Sequence, residues 1–211
     1  MPNVPGWKLF PHWKLAVLDW NGTLLNDFHL WVKWTKYIFE RYELPEPDIE
    51  ECRDEIGTDY MKFYREHGIN ETKENLNRIR EEFLRPLRKT ANLQVGALAM
   101  LELCRSMGMK IAVVSAEDKN TFDEWIRRLN LGVLVDSFEG GVHDKQEAFK
   151  KLFLKYKICP HKSFYVGDTA SDILDANAVG MTSVAFTGGY NTLGKLLWAE
   201  PKFICRSFES I

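Results

Sequence analysis

Cysteine is sparse in this chain and poorly placed for pairing. Cys52, Cys104, Cys159 and Cys205 lie far apart, with no CxxC pair and no histidine at metal-ligand spacing, which argues against a disulfide framework and against a zinc knuckle. They read as reduced and mostly structural. An excess of one charge is lacking too: 28 basic residues face 30 acidic ones. No global field therefore draws the chain to nucleic acid or to an anionic membrane, and any anionic ligand must be recognised by a local pocket. No apolar run approaches the length of a membrane helix, and the opening "MPNVPGWKLFPHWK" lacks the charged-then-apolar plan of a secretory signal. The expectation is a cytoplasmic protein with no nucleic-acid and no membrane partner. Repeats and low-complexity tracts are absent as well, and nothing in the pattern specifies an oligomer.

What is present is enough apolar material, 45% of 211 residues, for one substantial core. Three short runs, "KLAVLDW" (14–20), "KIAVVSA" (110–116) and "SFYVGD" (163–168), are too continuous for half-exposed strands, and each ends in a polar or small residue. They read as central strands of a parallel sheet, with "TSVAFTGG" (182–189) as a fourth. Helical patterns at 95–107, 119–130, 144–156 and 170–179 separate them. This alternation predicts a doubly wound parallel α/β sheet.

Between about Leu24 and Leu93 the rhythm changes. "HLWVKWTKYIFERY", "DYMKFYREHG" and "ETKENLNRIREEFLRPLRK" carry apolar residues three and four apart, with charges between them. That is an inserted α-helical cap, expected over the carboxyl ends of the strands, where open α/β sheets bind ligands. The division is residues 1–23 and 95–211 for the catalytic core and 24–94 for the cap, with hinges near Leu24–Asp27 and Leu93–Gly96. Trp31, Trp34, Tyr37, Phe39, Phe63 and Tyr64 could form a stacking platform for a base, but their spacing favours helix faces packed on one another.

Asp19 closes the first strand and precedes Gly22 and Thr23, a polar turn able to wrap N–H groups around an anion. A carboxylate there can act as a nucleophile. The competing reading is an Asn-Gly hairpin, which the helical pattern that follows disfavours. Ser115 ends the second strand, where its hydroxyl and the next backbone N–H, that of Ala116, face the same edge as Asp19; alone it would be a helix cap. Lys145 opens a helix in "GGVHDKQEAF", and alone would be solvated surface. Asp168 and Asp172 in "YVGDTASD" put two hard carboxylates at the sheet's mouth, facing Asp19, which suits Mg²⁺.

In order, "DWNGT", "VVSA", Lys145 and "GDTASD" resemble the motifs of the haloacid dehalogenase superfamily. The "EIGTDYMKFYREHGI" segment is most similar to its phosphoglycolate phosphatase-like branch. The resemblance implies a Rossmann-like core and a Mg²⁺-dependent phosphatase acting on a small phosphorylated metabolite. Asp19 would attack phosphorus to form an aspartyl-phosphate that water hydrolyses. Ser115, Ala116 and Lys145 would hold the phosphoryl oxygens, and Gly22 and Thr23 would shape the turn around them. Asp19, the backbone carbonyl of Asn21, Asp168 and Asp172 would organise the metal. Lys145→Ala is expected to weaken phosphate affinity and nucleophile ionisation while leaving the fold largely intact.

Asn21 departs from the pattern, because the phosphatases of the superfamily usually carry there a second Asp that protonates the leaving oxygen. Losing such a group costs on the order of 10²–10⁴-fold in rate. Three readings compete: a phosphatase whose substrate has a good leaving group; another C–X bond hydrolase, since the resembling dehalogenases and phosphonate hydrolases also lack the second Asp and the latter use a cap lysine, here Lys33, Lys36 or Lys62; and a slow or non-turnover phosphometabolite-binding protein. Deamidation of Asn21 to Asp is a further route to the missing acid.

Overall fold

The computed structural model describes residues 12–55 and 60–210. Residues 1–11 of the sequence-defined core, and the part of the "EIGTDYMKFYREHGI" resemblance on residues 56–59, lie outside the described residues. Six parallel strands form the main sheet: β1 (Leu15–Leu18), β4 (Lys110–Val114), β5 (Ser137–Glu139), β6 (Ser163–Gly167), β7 (Thr182–Phe186) and β8 (Phe203–Cys205), in the order β5-β4-β1-β6-β7-β8. β1 pairs in parallel with both β4 and β6, with Leu18 opposite Val113 on one side and Val166 on the other.

The continuous apolar runs follow from burial on both faces. Successive side chains alternate between the faces. Ala16, Leu18, Ile111, Val113, Phe164 and Val166 join one cluster, which also holds Met100 and Leu101 of α5 (Ala97–Ser106) and Phe122 and Trp125 of α6 (Lys119–Arg128). Leu15, Val17, Ala112, Val114 and Tyr165 face the other way, onto Phe149 and Leu152 of α7 (Lys145–Tyr156) and Ala176 of α8 (Ala170–Ala178). From β1 the sheet grows first toward β4 and β5, then on the other side through β6, β7 and β8. The reversal leaves a crevice at the carboxyl end of β1, where Asp19 stands.

The interval between β1 and β4 is helical, as its three- and four-residue spacing requires. It comprises α1 (Phe28–Arg41), α2 (Ile49–Glu55), α3 (Tyr60–Glu66) and α4 (Lys73–Leu84). α1 buries Leu30, Trp31, Trp34, Thr35, Ile38 and Phe39, one face of a 3.6-residue helix. Thr72 caps α4 by accepting from the Asn75 N–H. The aromatic positions are packing surfaces: Trp34 Nε1 donates to Tyr64 Oη at 2.6 Å, and the rings of Tyr37 and Phe83 stack at 4.2 Å. These residues continue the cluster beneath α5 and α6.

The four short strands β2 (Leu25–Asn26), β3 (Asn92–Leu93), β5 and β8 and the helix Leu193–Trp198 after β7 were not visible in the sequence pattern. The three-residue strands β5 and β8 are too short for periodicity to register. β2 and β3 form an antiparallel ribbon where the chain leaves and re-enters the sheet region. Among the described residues no helix is long and apolar enough to cross a membrane. Cys52, Cys104 and Cys205 are buried and Cys159 is exposed, none of them in a disulfide.

Candidate active site

Register gathers the strand-end residues. The Asp19 N–H donates to Val166 O at 2.9 Å and the Ser115 N–H to Glu139 O at 2.8 Å, which extends the ladders past the ends of β1 and β4 and fixes both side chains at one edge. Lys145 reaches this edge from the first turn of α7, whose N-cap Asp144 accepts from the Glu147 N–H. Its Nζ donates to Asp19 Oδ1 at 2.7 Å, to Tyr165 Oη at 2.9 Å and to Asp172 Oδ1. Lys145 is therefore the cation shared by two buried carboxylates. Its removal bears on stability as well as on phosphate binding.

Asp172 has two functions at once. Its Oδ2 accepts from the N–H of Thr169 at 3.1 Å and from the Thr169 hydroxyl at 2.7 Å, completing a capping box for α8. Its Oδ1 faces Lys145 and Tyr165. Asp168 accepts from Thr23 Oγ1 at 2.8 Å and from the Tyr190 N–H at 2.6 Å. Glycines fence it: a Cβ on Gly22 or on Gly189 would lie 2.1 Å from Asp168 Oδ2, and Gly22 has φ +74°. Only glycine lets the two backbones approach this carboxylate so closely.

Asp19, Asp168 and Asp172 each offer an oxygen within 4.8 Å of the others, and all three are buried. Burial raises Asp19 to about 7, against the attraction of Lys145. Asp168 is pushed well above the carboxylate range by burial and by repulsion from Asp19 and Asp172. Burial also acts upward on Asp172, but Lys145 and the donors around it outweigh this and hold it below the usual range. Lys145 is raised, because the two aspartates more than offset its own desolvation. One ammonium cannot hold all three buried carboxylates ionised at once. Hard oxygens in that arrangement fit a divalent cation.

Asn21 is clamped. Its amide donates to Asp27 Oδ2 at 2.8 Å and to Glu117 Oε2 at 3.3 Å, while its Oδ1 accepts from Ser115 Oγ at 3.3 Å. Asp27 also accepts from the Gly22 N–H at 2.8 Å and from Tyr190 Oη at 3.0 Å. Deamidation needs the Gly22 nitrogen to attack the Asn21 side-chain carbonyl. Asp27 and Ser115 hold those two groups in other contacts. Asn21→Asp replaces two donors by a carboxylate facing two carboxylates, and should lose about 1–3 kcal/mol of stability. A denaturant midpoint equal to that of the wild-type protein would contradict this.

A cavity of about 1120 Å³ opens over these groups. Asp19, Asn21, Ser115, Ala116, Lys145 and Asp172 line it from the sheet side, and Trp31, Trp34, Tyr64 and Arg80 from the helices. Gly22, Thr23 and Asp168 stand behind this wall, where Thr23 positions Asp168. The helical segment is also tied to the loop that carries Tyr190: Arg53 Nε donates to Tyr190 O at 2.8 Å, and Asn191 Nδ2 to Arg53 O at 2.6 Å. Lys33, Lys36 and Lys62 are exposed and do not line the cavity; Lys36 pairs with Glu46 and Lys62 with Glu66. Asp27, Glu117, Tyr165, Tyr190 and Arg80 were not singled out from sequence. Only Glu117, two residues after Ser115, had a local cue.

A doubly wound sheet with an acidic cluster and a lysine at the carboxyl end of its central strand defines a class, hydrolases of the Rossmann-like type. A family model described as haloacid dehalogenase-like hydrolase matches residues 16–186, and the chain belongs to that family. A phosphoglycolate phosphatase of Mannheimia succiniciproducens is 24% identical over 217 residues, covering 94% of this chain and 96% of its own. A haloacid dehalogenase-like family hydrolase from Streptococcus pneumoniae superposes with TM-score 0.75 at 19% identity, covering 95% and 97% of the two chains. A hydrolase from Pseudomonas syringae gives 0.76 at 18% identity, covering 92% and 94%. At such identities the structures establish the fold.

Proposed function

We propose that the protein is a Mg²⁺-dependent phosphatase that acts on a small phosphorylated metabolite through an aspartyl-phosphate on Asp19. The observation that carries this is the single buried array in which Lys145 bonds both Asp19 and Asp172 while Asp19 and Ser115 face one cavity. The name of the Mannheimia relative, phosphoglycolate phosphatase, supports the same substrate class. The residues divide as core 1–23 and 95–211 and cap 24–94. The β2–β3 ribbon supports crossings near Leu24–Asp27 and Leu93–Gly96 as the hinges. Reduced, unpaired cysteines support a cytoplasmic location.

In this reading Lys145, the Ser115 hydroxyl and the Ala116 N–H hold the phosphoryl oxygens. An Asp19 oxygen attacks phosphorus, the bond to the leaving oxygen breaks, and that oxygen departs with the electron pair. Water then attacks phosphorus of the aspartyl-phosphate, releasing inorganic phosphate and restoring Asp19. Lys145 favours the ionised form of Asp19 against its burial and balances charge on the transferring group. Asp19, Asp168, Asp172 and the Asn21 carbonyl would hold Mg²⁺, which when bound neutralises charge on the phosphoryl oxygens. Asn21 cannot give the leaving oxygen a proton as a carboxylic acid would. The site therefore favours a leaving group that is stable as an anion.

Metal binding has a readout independent of turnover. A ligand at about 100 times its Kd stabilises by roughly 2.7 kcal/mol, or about 5–10 °C in Tm for a chain of this size. Mg²⁺ should raise the Tm of the wild-type protein by that order, and Asp168→Asn should abolish most of the rise. An equal rise in both proteins would remove Asp168 from the metal site.

A further inference from the structure

The cations around the cavity are unequally engaged. Lys145 is held by Asp19 and Asp172, Arg85 and Arg88 by Glu81, and Lys119 by Asp123. Lys73 is exposed and stands 5.9 Å from the centre of the Tyr60 ring. Arg80, on the half-buried inner side of α4, lines the cavity and makes no hydrogen bond or ion pair among the described residues. The groups whose charges act on it are Glu117, Tyr190, Tyr64 and Asp27. Two of these, Glu117 and Asp27, are the acceptors of the Asn21 amide. Arg80 therefore shares the cavity with Asp19 and Asn21 and lies within electrostatic reach of the two carboxylates that clamp the Asn21 amide.

The neighbouring carboxylates do not satisfy it. Asp27 is occupied by Gly22, Asn21 and Tyr190, and Glu117 by Asn21 and the Asp118 N–H. A guanidinium has five N–H donors in a planar fork that matches a carboxylate or phosphate, and leaving such a group unpaired in a partly desolvated cavity is unfavourable. An oxyanion supplied by the ligand is the partner this geometry lacks.

We propose that Arg80 forms an anion subsite in the cap that binds a second oxyanion, a carboxylate or a phosphate, carried on the leaving-group side of the phosphorylated substrate. The substrate class narrows to small phosphate compounds with two anionic ends, one read by Lys145 and Ser115 and the other by Arg80. The inference rests on the phosphatase reading for its orientation. It also fits Asn21, because the charge of Arg80 favours departure of an anion that receives no proton.

The test is calorimetric binding in Mg²⁺ of three non-hydrolysable probes: phosphonoacetate, methylenediphosphonate and ethylphosphonate. It is run on the wild-type protein, Arg80→Met and Arg80→Lys. Hydrolysis of the related phosphates, the esters phosphoglycolate and ethyl phosphate and the anhydride pyrophosphate, is followed in parallel. The wild-type protein should prefer at least one doubly anionic probe over ethylphosphonate by about tenfold or more. Which of the two it prefers identifies carboxylate or phosphate. In Arg80→Met the preference should collapse toward one, and Arg80→Lys should restore part of it. A purely structural role would change all three affinities together and leave their ratio intact, which would overturn the subsite. So would a wild-type protein without preference. An Arg80-dependent preference with no hydrolysis of any of these compounds, nor of acetyl phosphate, whose leaving group needs no proton, would instead retain the subsite and overturn the phosphatase reading.

Discussion

Asp19→Asn is expected to lower phosphatase turnover by on the order of 10⁴-fold or more, the scale of loss when a nucleophile is removed from an otherwise intact site. The amide keeps the shape of the side chain, and Lys145 retains Asp172 and Tyr165 as partners. The fold should therefore survive the loss of activity. The sign of the stability change can be stated. Burial raises Asp19 from 3.8 to about 7 in the folded protein, so the folded state binds the extra proton. That contribution to stability is complete below pH 3.8 and is lost as pH rises through 7. At pH 8 without added metal the wild-type protein carries an unfavourable buried charge that the variant lacks. Asp19→Asn should then melt no lower than the wild-type protein, the pattern of a site whose function costs stability. Residual activity within about tenfold of wild type would exclude Asp19 as the nucleophile.

Lys145→Met has the opposite profile, because it affects folding as well as chemistry. Methionine keeps much of the aliphatic volume and deletes the cation that, among the described residues, bonds both Asp19 and Asp172. Breaking a buried ion pair by removing one partner costs about 3–5 kcal/mol. For a chain of this size that is a fall in Tm on the order of 10 °C. Mg²⁺ should restore part of the loss, since a second cation can compensate the same carboxylates. A variant that melts like the wild-type protein without metal would show that the aspartates are neutralised in another way.

Much of this was legible in the sequence because the elements concerned are local. The apolar runs that became β1, β4, β6 and β7 report burial on two faces, and the spacing of Leu30, Trp31, Trp34, Ile38 and Phe39 reports one helix face. Helix boundaries read from pattern fall within two residues of α5, α6, α7 and α8. Asp19, Ser115, Lys145, Asp168 and Asp172 were found because each stands at the end of a strand or the start of a helix, in a recognisable order. What could not be read is tertiary. Asp27 meets Tyr190 across 163 positions, and Asn21 meets Glu117 across 96. No periodicity records which face of α4 Arg80 occupies relative to a cavity built mainly by other elements. Lys145 was found as a phosphate ligand, but its place between two buried carboxylates, and so its weight in stability, depends on the sheet register.

Asn21 shows the same division. Its sequence signal is an acid missing from a motif, whereas its surroundings hold two carboxylates, Asp27 and Glu117, clamped on its amide. The acidity of the region is retained while the proton donor at that position is not. In the proposed chemistry, leaving-group stability is then what selects the substrates that turn over.

The most direct measurement is rapid-quench mass spectrometry of the protein mixed with Mg²⁺ and acetyl phosphate, a phosphoryl donor whose leaving group needs no proton. The expected result is a transient phosphoryl group on the peptide containing Asp19, appearing before inorganic phosphate and absent from Asp19→Asn. Phosphate release with no phosphorylated Asp19 at any time, or the same release from Asp19→Asn, would contradict the proposed chemistry.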